Sequence, residues 1–170
     1  MRRRRCYWIT GIPASGKTTL ARAWVLALQK NEVNAVLLDG DELRQGLCSD
    51  LGLSDGDRRE NIRRAGEVAR LMAHAGLTPV CAFVSPFRSD RQRVRDLFAP
   101  GEFQEIHLST PLTECVRRDP KQLYARVKAG QVIGLTGWDA PYEAPTDAEF
   151  VFDSLTTSTQ HMVRQLLDAR

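Results

Sequence analysis

GIPASGKTT, residues 11–19, matches the spacing G-x-x-x-x-G-K-[ST], with Gly11, Gly16, Lys17 and Thr18 at the fixed positions. Its reading decides the fold, because such a loop works only between the end of a buried strand and the start of a helix. Both neighbours are present. CYWITG is an apolar run ending on the loop glycine, and in GKTTLARAWVLALQK the residues Leu20, Trp24 and Leu28 recur at helical spacing, with Ala21 and Val25 beside them. Backbone NH groups of the loop and helix start, through Ala14, Ser15, Gly16 and Thr19, would cradle the phosphates of ATP, with Lys17 reaching the β- and γ-phosphates and Thr18 holding Mg2+. Pro13 removes one NH from this cradle. The loop does not choose where the phosphate goes: water, a protein, a nucleic acid and a small molecule all remain open.

Beyond the loop, strand and helix patterns alternate. NAVLLDG, TPVCAFVSP, FQEIHLS and AEFVFD read as further strands. Between them fall helices over 57–74, with Ile62, Ala65, Ala69 and Met72 on one stripe stopped by Gly76, then over 89–99, and over PLTECVRR opened by Pro111. A last helix surrounds Met162, Val163 and Leu166. This order predicts an α/β fold, a phosphate-loop three-layer sandwich whose mostly parallel five-stranded sheet is covered by helices on both faces, with ligands at the carboxyl ends of the strands. The Gly- and Pro-bearing segment QVIGLTGWDAPYEAP has no regular pattern and is expected to form a lid, over residues 130–146.

With 170 residues, 42% of them hydrophobic and 26% charged, one domain spanning residues 1–170 is expected, and no stretch is long enough for a membrane-spanning helix. The apolar run after the basic start is too short for a signal peptide. The net charge of +3 is accounted for by Arg2 to Arg5, a cluster read as a solvated, frayed terminus, so no nucleic-acid partner is expected. Cys6, Cys48, Cys81 and Cys115 form no C-x-x-C pair and sit in or beside apolar segments, which points to buried thiols in a reducing, cytoplasmic setting. His74, His107 and His161 have no metal-site spacing and read as surface or strand histidines.

Two further features carry chemistry. In LLDGDELRQGL, Asp39 and Asp41 straddle a glycine at the end of the second strand, beside the expected phosphate loop. There, one carboxylate can orient magnesium while the other aligns or deprotonates an attacking hydroxyl; equally, Asp41 is a fair helix N-cap and Asp39 a fair turn residue. Arg44, Arg58, Arg59, Arg63, Arg64, Arg88, Arg91, Arg93 and Arg95 gather in the middle of the chain. Most read as a solvated helix face, but any that line the pocket imply an anionic acceptor, because guanidinium forks match phosphate and sulfate oxygens.

The succession TGIPASGKTT, LDGDELRQGL, LGLSDGDRRENIRR, EVARLMAHAGL, AFVSPFRSDRQRVR, RDPKQLY and LTGWDAPYEAP resembles the adenylylsulfate kinases over about residues 8–150. The resemblance implies a phosphate-loop nucleoside-kinase-like domain that uses MgATP to phosphorylate the 3'-hydroxyl of adenosine 5'-phosphosulfate. It implies catalytic roles for Lys17, Asp39 and Asp41, metal binding by Thr18 and Asp39, and Arg118 against the adenine of ATP. On the acceptor side it implies Asp41, Arg44, Arg58 and Asn61, with Lys121 meeting the anionic 5' group. Val84, Ser85 and Pro86 would wall the pocket; Ser85 stands where some members carry phosphate, and it reads equally as a strand-end cap. A homodimer and a sulfurylase partner belong to the same expectation.

The sequence departs from the family pattern at Leu53 and Leu135, where a pair of phenylalanines commonly clamps the acceptor's adenine, and at Glu42, Gln45 and Gln122. An aromatic sandwich adds about 0.5–1.5 kcal/mol per face, so its loss motivates a second reading: a related kinase acting on another nucleotide, such as cytidine diphosphoramidate. The family's N-terminal extension has no counterpart here, which bears on the expected dimer contacts. A non-catalytic nucleotide-binding module and a nucleic-acid-binding ATPase are the readings from other classes.

Overall fold

The computed structural model describes residues 5–170. Arg2 to Arg4 lie outside the described residues; Arg5, the last of the basic cluster, donates to the Arg170 carbonyl at 3.4 Å. The elements in chain order are β1 (Cys6–Thr10), α1 (Lys17–Lys30), β2 (Ala35–Asp39), α2 (Gly40–Gln45), α3 (Asp55–His74), β3 (Thr78–Ala82), α4 (Arg88–Arg95), β4 (Phe103–Leu108), α5 (Leu112–Arg118), α6 (Leu123–Lys128), β5 (Phe150–Phe152) and α7 (Thr159–Asp168). The sheet order is β2-β3-β1-β4-β5, and every pairing is parallel rather than mostly so.

Alternation along β1 divides the core. Tyr7 and Ile9 face a layer with Leu20, Trp24 and Leu28 of α1 and Met162 and Leu166 of α7. Cys6 and Trp8 point the other way, among Ile62, Ala65 and Ala69 of α3 and Val94 of α4. Trp8 is fully buried and stacks on Phe83 with ring centroids 5.0 Å apart, so truncating it to alanine would cost about 3–5 kcal/mol. Helices α3 and α4 approach closely because position 66 is glycine: a Cβ there would lie 2.7 Å from a Val94 methyl. All four cysteines are buried and free.

The chain leaves β1 for β2 and β3 on one side and returns to β4 on the other, so the order switches at the carboxyl end of β1, where residues 11–16 sit. Several boundaries differ from the sequence expectation. The third strand stops at Ala82 instead of running on to Pro86, because the chain turns through Ser85 at φ 39°. Helix α3 starts at Asp55, two residues before the expected 57, since Ser54 caps it by accepting from the Asp57 NH. Helix α4 covers Arg88–Arg95, shorter than the expected 89–99. Two short helices appear that the strand–helix pattern did not include: α2, where a helix start was the alternative reading, is capped by Asp39, which accepts from the Asp41 NH, and α6 follows Gln122, with the NH groups of Tyr124 and Ala125 donating to Asp119. Of the two aspartates after β2, the N-cap is therefore Asp39 rather than Asp41. Between α6 and β5, residues 129–149 form no helix or strand apart from an isolated bridge between Thr136 and Ala140.

Candidate active site

A cleft of about 490 Å³ lies across the carboxyl ends of the strands. Of the residues singled out in the sequence, Ala14, Gly16, Lys17, Thr18, Thr19, Asp39, Asp41, Arg44, Leu53, Arg58, Asn61, Val84, Ser85, Pro86, Arg118, Lys121 and Leu135 all line it. Gly11 and Ser15 lie behind the loop instead. A side chain at position 11 would come within 2.8 Å of the Leu108 carbonyl, so the glycine is required by packing. Ser15 is fully buried, and its carbonyl accepts from the hydroxyls of Thr110 and Ser154 at 3.1 and 2.9 Å.

The loop is braced from outside. Tyr124 donates to the Pro13 carbonyl at 2.9 Å, and Arg118 donates to Ser154 Oγ at 2.7 Å and to its carbonyl at 3.0 Å. Glu114 accepts from Arg117 and Arg118, which hold its carboxyl down to about 2. Lys17 starts α1 and donates to the Ile12 carbonyl at 2.8 Å. Burial lowers its pKa to about 8, against the partial support of Asp39 and Asp41. The Thr18 hydroxyl donates to Asp39 Oδ2 at 2.8 Å, while Asp39 Oδ1 accepts the Asp41 NH at 3.0 Å. A hydroxyl and a carboxylate side by side at the loop suit a hard cation that keeps most of its shell from phosphates and water, which is how Mg2+ is usually held. No group of three or more His, Cys, Asp or Glu side chains among the described residues forms a self-sufficient metal cage.

The opposite wall is built differently. Asp41 pairs with Lys121, and both side chains are more than half exposed. Arg44 donates to the Gly52 carbonyl at 2.9 Å. Arg58 donates through Nε to the Leu53 carbonyl at 2.8 Å and through its terminal nitrogens to Thr136 Oγ1 and the Gly134 carbonyl, so it ties the start of α3 to the 130–146 segment. Asn61 is buried at 5% exposure, and its Oδ1 finds no hydrogen-bond partner among the described residues. The two leucines are not a matched pair: Leu53 is 58% exposed at the rim, whereas Leu135 is buried against Cys115 and Tyr124. Ser85 lines the wall, yet its hydroxyl accepts the Trp8 indole NH at 3.1 Å and faces the Phe83 carbonyl, with only 1% of the residue exposed.

Of the nine arginines in the middle of the chain, Arg44 and Arg58 reach the cleft. Arg59 and Arg93 pair with Asp90, Arg63 and Arg64 with Glu60, and Arg95 with Glu105 and Glu149, away from it. His107 is buried on β4, its ring against Tyr142, and burial followed by the charge of Arg91 lowers its pKa. Phe83, Thr136, Gly134 and Asp119 also line the cleft and were not singled out. Thr136 and Gly134 carried no local signal, since they enter through contacts with Arg58, more than seventy residues away. Asp119 had one: an aspartate before a proline, at the end of α5.

A phosphate loop, a strand-end carboxylate pair and an opposite wall bearing cations define a phosphate-loop kinase acting on a small anionic molecule. The adenylylsulphate kinase family model matches residues 3–153, and the chain belongs to that family. An adenylyl-sulfate kinase of Erwinia tasmaniensis is 52% identical over 161 residues, covering 95% of this chain and 80% of the relative; one of Shewanella amazonensis is 51% identical over 161 residues. The Mycobacterium tuberculosis APS kinase CysC, solved with AMPPNP and APS, superposes with a TM-score of 0.93 at 37% identity, covering 98% of this chain and 96% of that one. A hexameric APS kinase of Thiobacillus denitrificans matches at 31% identity and a TM-score of 0.70, through 29% of its own chain.

Proposed function

We propose that this chain transfers the γ-phosphoryl group of MgATP to the 3'-hydroxyl of adenosine 5'-phosphosulfate, giving 3'-phosphoadenosine 5'-phosphosulfate. The observation that carries the reading is convergence: the loop with its Thr18–Asp39 pair and the wall with Asp41, Arg44, Arg58 and Lys121 open into one cleft. Bound Mg2+ would neutralise charge on the phosphates, with Thr18 and Asp39 holding it. Loop NH groups and Lys17 hold the donor, and Arg118 lies beside its base. Asp41 aligns the 3'-hydroxyl and accepts its proton, while Lys121, Arg44 and Arg58 take the acceptor's anionic groups in place of their present partners. Asn61, Val84, Ser85 and Pro86 wall the acceptor, with Leu53 and Leu135 along its path. Residues 130–146 are the lid of a single domain and exclude water from the transfer.

The test is ADP release from MgATP with adenosine 5'-phosphosulfate, with cytidine diphosphoramidate or with no acceptor, products being identified by mass. Stimulation by the first alone, with a 3'-phosphorylated product, is expected; stimulation by the cytidine compound alone would replace the acceptor, and acceptor-independent hydrolysis would replace the reaction. A homodimer, a sulfurylase partner and a cytoplasmic setting complete the proposal. Sedimentation of the purified chain, with and without a sulfurylase, checks the first two.

A further inference from the structure

We infer that Arg91, which takes no part in the transfer scheme above, is a positioning residue that locks the acceptor wall and the exit of the lid into one body. The inference deepens the proposed function and rests on the acceptor side of the cleft being read correctly. Arg91 lies on α4 with 2% exposure, and each face of its guanidinium fork goes to a different segment. Nε donates to Glu105 Oε1 on β4 at 2.6 Å, one terminal nitrogen to the Ser85 carbonyl at 2.6 Å, and the other to the Glu143 carbonyl at 2.7 Å.

Ser85 needs such a hold. Its φ of 39° is in the left-handed region that side-chain-bearing residues rarely adopt, and contacts around it must keep it there. The same two segments are laced a second time without Arg91. The Glu143 NH donates to the Pro86 carbonyl at 2.8 Å, Glu143 Oε2 accepts the Arg88 NH at 2.8 Å, and Arg88 Nε donates to the Ala144 carbonyl at 2.6 Å. Tyr142 adds a third link through Thr10, whose hydroxyl lies 3.0 Å from the Tyr142 OH and donates to the Val84 carbonyl at 2.7 Å. Residues 84–88 and 142–144 therefore move together or not at all, and two groups also anchor both to the sheet: Thr10, at the end of β1, and the guanidinium, through buried Glu105 on β4. A lysine would keep the charge toward Glu105 but lacks the planar fork that reaches two carbonyls at once.

Arg95 supplies the control. It shares Glu105 at 3.3 Å and pairs with Glu149, yet it is hydrogen-bonded to neither segment. In Arg91→Lys, the KM for the acceptor is expected to rise roughly tenfold to a hundredfold with the KM for ATP held within about twofold, because a displaced wall costs orientation only on the acceptor side. Arg95→Gln should leave the ratio of the two KM values unchanged. Equal rises in both KM values for Arg91→Lys, or no rise in a folded protein, would overturn the inference.

Should Arg91→Lys fail to fold, Tyr142→Phe removes one lacing hydroxyl from an otherwise intact core. A rise of about twofold to fivefold in acceptor KM alone is expected there, and no change would count against the strut. Hydrogen exchange needs no acceptor and separates this inference from the assigned function. In whichever of the two variants folds, residues 84–88 and 142–144 should lose protection together while the amides of residues 11–19 keep theirs; loss in one segment alone would overturn the coupling. Coupled loss in a protein that shows no acceptor-dependent turnover would sink the function and leave the strut standing.

Discussion

The two ends of the cleft are held by opposite means. At the donor end, the loop is braced by buried or half-buried groups: Thr110 and Ser154 on the Ser15 carbonyl, Tyr124 on Pro13, and Arg118, which also lines the cleft, on Ser154. At the acceptor end, the groups proposed to meet the substrate are tied to one another or to nearby backbone: Asp41 to Lys121, Arg44 to Gly52, Arg58 to Gly134 and Thr136. The loop backbone is thus held before the proposed donor arrives, which would displace chiefly the Lys17 contact to the Ile12 carbonyl, whereas the proposed acceptor would exchange several exposed, weakly held contacts for its own anionic groups. ATP should bind without rearranging the loop, and the acceptor should bind with a larger change in the mobility of its wall.

The largest expected effect tests the donor end. Lys17→Met should lower turnover by about a thousandfold or more while the thermal unfolding midpoint stays close to that of the parent, since the amine is proposed to serve the transferring group and not the core. A fall of only a few-fold would mean that the loop's backbone carries the transfer alone. At the acceptor end, Asp41→Asn should cost about a hundredfold to a thousandfold in turnover with little change in ATP affinity. Asp39→Asn should instead shift the magnesium dependence, since the amide keeps an oxygen for the Thr18 hydroxyl but not the negative charge proposed to face the cation. Identical behaviour of the two variants would erase the division of labour between them.

A smaller effect follows from Lys17's titration. Its pKa of about 8 in the free protein means that the charged form is lost as pH rises past 8. Binding an anionic triphosphate must then be accompanied by proton uptake, so ATP affinity should fall by up to about tenfold per pH unit above 8. The sign for folding is the reverse: between about 8 and 10.5 the unfolded chain holds more protons at this site, so its contribution to stability grows with pH. Calorimetry of ATP binding in buffers of different ionisation enthalpy checks the proton uptake, and Lys17→Met should abolish it. The smallest effect is at the rim. Leu53→Phe should lower the acceptor KM by about twofold to tenfold, whereas Leu135→Phe must fit a ring into the packing around Cys115 and Tyr124 and should cost stability instead. A matched gain from both would restore the idea of a symmetric slot.

Much of the donor end was legible in the chain because its residues are neighbours. The loop, its strand and its helix occupy residues 6–30, and local spacing specifies them together. The strand-end aspartates were legible for the same reason, but their roles as cap and partner were not. Asp39 caps α2 only because that short helix forms, and a six-residue helix leaves little periodic signal. The acceptor side was legible as a resemblance and as a list of cations. Which arginines face the cleft depended on helix rotation, and seven of the nine turned out to serve ion pairs, the backbone or the core.

Short-range pattern thus determined the phosphate loop, the division of β1 between two core layers and the strand–helix alternation that makes the sheet parallel, since each depends on spacings of a few residues. Tertiary structure alone decided that Lys121 meets Asp41 across eighty residues, that Arg58 holds the 130–146 segment, that the Ser85 hydroxyl turns toward Trp8, and that Arg91 reaches the carbonyls of both Ser85 and Glu143. Those contacts join segments whose separation is set by sheet order and helix packing, and no local periodicity encodes which side chain a distant segment will meet.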